Sequence, residues 1–198
     1  MLHAISAALT AHLETAPAGG RRTVTAEAPP PSVTAAPGGA EGGRGLGAHL
    51  FHVAALDQGR PGDAAEVRDE RGRVVGRRPP VRRYRTRWLL WAWAPTAPER
   101  LALLDEALVL LSAGLVLPGE VVGPELAAGG PVQLEAAPPG TTVSELNAVF
   151  TSLGVPARPA LEAVVTAGLV MPVEPVAGPP ADVRVVARPR ALRPPAAH

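Results

Sequence analysis

Leu2, Ile5, Leu9 and Leu13 recur at helical spacing and the pattern stops before Pro17 and Gly19, so residues 2–15 are predicted to form an amphipathic helix. Residues 22–28 alternate weakly around Val24 and run into Pro29, Pro30 and Pro31, which describes a short strand that cannot continue. A loop of Pro, Gly and Ala follows to about Gly45. Over residues 46–56 both parities are largely apolar, with Leu46, Ala48, Leu50, His52, Ala54 and Leu56 on one side and His49, Phe51 and Val53 on the other. This is the pattern of a strand buried on both faces. Residues 57–78 then turn polar and rich in Gly and Arg. The stretch is too long for a plain hairpin turn and is expected to be an extended or mobile insertion.

Residues 81–94, Val-Arg-Arg-Tyr-Arg-Thr-Arg-Trp-Leu-Leu-Trp-Ala-Trp-Ala, lack Gly and Pro and hold all 3 tryptophans of the chain. They read as a long central strand. Side chains alternate along a strand, so Tyr84, Trp88, Leu90 and Ala92 share one side, and Arg83, Arg85, Arg87, Leu89, Trp91 and Trp93 share the other. Thr96 with Glu99 is a capping-box signature; Leu101, Leu104, Leu108 and Leu111 form one apolar face, and Gly114 closes the helix. Pro131–Ala136 supplies a short strand. Thr142 and Glu145 open another helix carrying Val143, Leu146, Phe150 and Leu153 inward, ended by Gly154. Residues 159–173 alternate as a last long strand.

From Pro175 the composition becomes rich in Pro and Arg, with Val183, Arg184, Val185 and Val186 as a strand-like island in an extended tail. The expected organisation is one domain over residues 1–173 and a tail over 174–198. Its order of elements implies an α+β fold, a mixed and mainly antiparallel sheet flanked by about three helices.

At 198 residues the chain is long enough for one core. The 24 prolines and 21 glycines, more than a fifth of the residues, imply locally irregular backbone. With 19 basic and 18 acidic side chains the net charge is +1, so any electrostatic partner is met by a patch and not by the whole molecule. Every basic residue is Arg, as a codon bias toward GC would also produce. Without Cys there is no disulfide, thiolate metal site or Cys nucleophile. Residues 1–16 have no basic start and interrupt their apolar positions with His3, Ser6, His12 and Glu14, unlike a signal peptide. No run reaches the length of a membrane span, and the expectation is a cytoplasmic protein with no membrane partner.

Chemistry is sparse. His49 and His52 point to opposite sides of a strand and cannot share a metal. No nucleophile elbow, phosphate-binding loop or H-E-x-x-H segment is present, and Gly42 to Gly47 precedes a strand where a dinucleotide loop would follow one. Asp57, Asp63, Glu66, Asp69 and Glu70 lie among Arg60, Arg68, Arg71 and Arg73, which favours mutual ion pairing on a solvated loop. No catalytic, cofactor or metal residue is therefore assigned, and no enzyme is expected. The charged feature that stands out is the ladder Arg83, Arg85 and Arg87, spaced about 6 to 7 Å along one face. It fits a solvated face, an interface with acidic groups, or a nucleic-acid groove. The last suits the spacing but not the aromatics, which cluster beyond the ladder instead of interleaving with it. Arg83, Arg85, Arg87, Trp91 and Trp93 are the interface candidates in the domain. Val183, Arg184, Val185 and Val186 are those in the tail, as a strand for addition to a partner's sheet.

The succession Leu50-Phe-His-Val53, a polar Arg-rich insertion, Pro79-Pro80, the strand ending Trp-Ala-Trp-Ala94, and the helix with Leu101, Leu103 and Leu104 resembles the tail-terminator (cap) proteins of phage-tail-like contractile injection systems. The run Leu153-Gly-Val-Pro-Ala-Arg-Pro-Ala-Leu161 fits as well, and the resemblance covers about residues 1–173. It implies a structural protein without cofactor. It further implies a ring, hexameric in that family, that closes the baseplate-distal end of tube and sheath. The implied partners are further copies of itself and the sheath and inner-tube proteins, with no nucleic acid. A small Arg-mediated nucleic-acid-binding module is the alternative.

Overall fold

A computed structural model describes residues 1–15, 23–32, 43–56, 64–137 and 143–175. Its elements in chain order are α1 (Leu2–Glu14), β1 (Thr23–Thr25), β2 (Gly45–Ala55), β3 (Ala65–Arg68), β4 (Val74–Arg78) and β5 (Arg82–Trp93). They continue with α2 (Ala97–Ser112), β6 (Leu115–Val116), α3 (Pro124–Ala127), β7 (Gln133–Ala136), α4 (Val143–Ser152), β8 (Ala160–Leu169) and β9 (Glu174–Pro175). Six strands form one sheet in the order β1-β2-β5-β8-β7-β6, and β3-β4-β9 form a second. Among these described strands only β1 and β2 run parallel. The α+β class and the mixed, mainly antiparallel sheet expected from the sequence are therefore present. There are four helices among the described residues, the extra one being the single turn α3.

One face of the large sheet carries the core. Leu46 and Ala48 of β2, Trp88, Leu90 and Ala92 of β5, and Ala163, Val165 and Ala167 of β8 cluster with Ile5, Leu9 and Leu13 of α1 and Leu103, Leu104, Ala107 and Leu111 of α2. Thr86 lies fully buried among them. Its hydroxyl accepts from the Trp88 indole at 2.9 Å and donates to the Val165 carbonyl at 3.0 Å, so a buried polar group is satisfied on both sides.

The α2 cap is the one the sequence promises. Thr96 and Glu99 exchange side-chain to backbone bonds, and Gly114, at a φ of 50°, turns the chain out of the helix. The buried stripe differs from expectation. Leu104 and Leu111 point inward, but Leu103 and Ala107 complete the face while Leu101 and Leu108 remain 49% and 42% exposed. The small Ala107 is fully buried at the centre of this face.

β2 departs from strict alternation. Leu50 pairs with Trp88 but His52 pairs with Arg87, so Phe51 is an extra residue in a bulge. Beyond it the parity reverses. Val53, expected beside His49 and Phe51, is paired with Thr86. Burial also fades along the strand, from buried Gly45–Ala48 to half-buried or exposed residues after His49, so β2 is covered on both faces only in its first half.

The insertion expected to be extended or mobile holds a hairpin. β3 and β4 pair antiparallel, and β9 adds to β4 with Gly76 opposite Pro175 and Arg77 opposite Glu174. The turn is made by Asp69, whose carboxylate accepts from the backbone N–H groups of Arg71 and Arg73, both at 2.9 Å. Those bonds and the Arg73 guanidinium hold the Asp69 carboxyl below the usual carboxylate range. The expected ion pairing is present as Glu66–Arg68 and Asp69–Arg73. Residues 57–63 lie outside the described residues. The closing strand is shorter than the predicted 159–173, ending at Leu169. The predicted tail start falls on β9.

Candidate assembly surface

The other face of the sheet divides along β5. At its C-terminal end Trp91 and Trp93 are fully buried, their rings 5.4 Å apart and tilted by 43°. Across the ladder stand Gly47 opposite Trp91 and Gly45 opposite Trp93. A Cβ at Gly47 would collide with the Trp91 indole, and one at Gly45 with the Trp93 ring and the Thr23 carbonyl. The two glycines thus let the indoles lie across β2. The Trp91 Nε1 donates to the Glu27 carbonyl at 3.3 Å, and Pro29 beyond it is buried. Arg158, from the turn after α4, donates to the Pro30 carbonyl at 2.6 Å and more loosely, at 3.4 Å, to those of Pro31 and Ser32. Burial and then the neighbouring Arg100 charge lower the Arg158 pKa, yet a guanidinium remains charged. Trp91 and Trp93, named as interface candidates, are therefore covered within the chain. They offer no surface on which bases could stack.

Arg87 occupies the boundary. Its Nε and Nη2 donate to the two oxygens of Glu162 at 2.5 and 3.0 Å, and Nη2 also reaches Glu145 of α4 at 2.6 Å. The guanidinium carbon stands 5.2 Å from the centre of the Phe51 ring, which the bulge brings to this position. The Glu162 side chain is only 2% exposed, so Arg87 neutralises a buried carboxylate on β8. Hydrogen bonding to Glu162 is the main cause that raises the Arg87 pKa. Of the ladder, Arg87 binds β5 to β8 and α4, and Arg83 and Arg85 alone extend into solvent. Neither has an ion-pair partner among the described residues, nor have Arg77 and Arg78 of β4 or Arg82 of β5.

Sequence reasoning gave Glu162 no role and read Glu145 only as part of a helix start. Glu162 carried a signal: a lone carboxylate in a strand apolar on both parities needs a cation, and the facing strand is full of arginine. Thr142, proposed as the α4 cap, lies outside the described residues, as do Val183, Arg184, Val185 and Val186. A cleft beside α2 is lined by Arg100 and Arg158 with Ala92, Leu101, Leu104 and Pro159, a set suited to holding an anion against apolar walls and lacking a proton donor-acceptor pair. No group of three or more metal-binding side chains occurs among the described residues. No helix among them is long and apolar enough to cross a membrane.

A family model described as the Pvc16 N-terminal domain matches residues 2–183. Among solved structures, the fold is similar to the PVC sheath/tube terminator of an extracellular contractile injection system in its extended state. The TM-score is 0.62 at 14% identity, over 98% of this chain and 65% of that one, so the chain spans less than two thirds of that protein's length. A tube-terminating cap of the anti-feeding prophage matches with a TM-score of 0.48 and 16% identity, over 71% of this chain and 48% of that one. No curated protein matches.

Proposed function

This chain belongs to the Pvc16 N-terminal domain family, and on that premise we propose that it is a structural cap that closes the baseplate-distal end of the tube and sheath of a contractile injection particle. The observation that carries the reading is the agreement of two independent features over nearly the whole chain. The family match spans residues 2–183, and the fold follows that of a sheath/tube terminator over 98% of the chain. The cap works by binding and not by catalysis. It forms a closed ring, hexameric as in the family it resembles, because cyclic closure matches a tube of rotational symmetry and limits growth. Its partners are its own copies and the sheath and inner-tube proteins. It is made in the cytoplasm and leaves the cell as part of the particle.

Within that role Arg83 and Arg85 face a neighbouring subunit or the tube and sheath, supported by their exposure and lack of internal partners. The tail over residues 174–198 supplies a second contact, with Val183, Val185 and Val186 adding a strand to a partner's sheet edge and Arg184 pairing with acidic groups. Co-assembly with tube and sheath proteins, imaged by electron microscopy, tests the proposal. A ring seated on one end of each particle is expected, and particles whose length and ends are the same with and without the protein would refute it.

A further inference from the structure

The exposed side of α2 is apolar where a free helix face should be polar. Leu101, Leu108 and Val109 are 49%, 42% and 71% exposed, and they flank Asp105 at three- and four-residue spacing, so all four lie on one stripe. Val116, just beyond the helix, is 55% exposed. The helix already buries Leu103, Leu104, Ala107 and Leu111 on its other side. This second stripe is thus left uncovered by the described residues, apart from Leu101 at the edge of the cleft.

Charge indicates what covers it. Residues 64–94 hold nine arginines against three carboxylates, while residues 95–137 hold six carboxylates against Arg100 alone. On the basic stretch, Arg77, Arg78, Arg82, Arg83 and Arg85 have no ion pair among the described residues. On the acidic stretch the same is true of Asp105, Glu120 and Glu125. These excesses, six positive and five negative, nearly cancel within a chain of net charge +1. The α2 stripe and the Arg83 and Arg85 side chains also lie on opposite faces of the large sheet. α2 covers the face of Trp88 and Leu90, whereas Arg83 and Arg85 alternate onto the reverse one.

We propose that the α2 stripe of Leu101, Asp105, Leu108 and Val109 docks on the Arg83 and Arg85 surface of a second copy of this chain, head to tail. This rests on the ring proposed above and names its contact. Two different patches meeting make a heterologous interface, the kind that closes into a ring when its rotation permits. Leu108 and Val109 supply apolar area, and Asp105 answers the guanidiniums at its rim. The surplus of opposite charge on the two stretches steers the encounter and sets its direction.

A reciprocal charge exchange in the full chain tests it. One variant carries Arg83→Glu and Arg85→Glu, and the other Asp105→Arg and Ser112→Arg, all at exposed positions. Each variant then presents like charge on both surfaces. Each is expected to self-associate at least about a hundredfold more weakly than the unaltered chain, with circular dichroism unchanged. Mixed one to one, the two variants regain complementary surfaces on every contact, and association should return to within about tenfold of the original. Association of the unaltered chain should weaken as salt rises from about 0.05 to 0.5 M. Either variant keeping the original mass alone, or a mixture that stays dissociated, would overturn the contact while leaving the ring intact. An unaltered chain that stays monomeric even with tube protein would remove the ring itself.

Discussion

Residues 82–87 and 88–93 belong to one strand, lie between the same neighbours β2 and β8, and differ in nearly everything around them. From Trp88 to Trp93 every side chain is buried on both faces, by α1 and α2 on one and by the chain around Glu27 to Ser32 on the other. From Arg82 to Arg87 only Thr86 is fully buried, and the odd positions reach solvent or a boundary ion pair. The contrast arises in what each half faces. Gly45 and Gly47 leave room for two indoles, whereas the bulge at Phe51 turns β2 just as it reaches Arg87. Alternation along a strand decides which residues share a face. Distant segments decide whether that face is free, and so the same parity holds two covered tryptophans, one internal arginine and two arginines available to a partner.

Disturbing the covered half should cost most. Trp91→Ala removes a fully buried indole and its bond to Glu27, and is expected to lower unfolding stability in urea by about 3 to 5 kcal/mol. The boundary comes next. Arg87→Met strands the Glu162 carboxylate and should cost about 3 kcal/mol, whereas Arg87→Met combined with Glu162→Met should recover most of it. That pair separates an internal role for Arg87 from a surface one, because a solvated arginine would show neither the loss nor the recovery.

In the open half, Arg83→Ser with Arg85→Ser is expected to change stability by less than about 0.5 kcal/mol while reducing cap occupancy on assembled particles. A triple change including Arg87 would confuse lost contact with lost fold. The smallest effect is that of pH. Burial lowers the pKa of His12 and His49 below the ordinary 6.5, so the unfolded chain binds protons more readily than the folded one. Their contribution is complete above pH 6.5 and declines as pH falls below it. The decline is expected to be small for these half-buried rings, and His12→Gln should reduce it in urea midpoints measured across that range.

Much of the covered half was legible in advance. The tryptophan-rich run, the Thr96–Glu99 box and the closing strand with two apolar parities each carry a period that only one kind of element satisfies. The hairpin over residues 65–78 carries none, since it is fixed by the Asp69 turn and backbone pairing and has no apolar alternation. The turn α3 and the two-residue β6 are shorter than any pattern can reveal. The parity reversal at Phe51 depends on the register with β5, and the covering of Trp91 and Trp93 depends on contacts across more than sixty positions. These long-range facts separate Arg87 from Arg83 and Arg85, and they lie beyond the reach of local pattern.

The proposed cap works as a closed assembly of copies. Light scattering on the purified full-length protein, alone and with tube protein, addresses this most directly. One fixed multiple of 20.3 kDa, unchanged over a wide range of concentration, is the expected result. A mass that stays at 20.3 kDa at the highest concentration, and still does so with tube protein present, would contradict it.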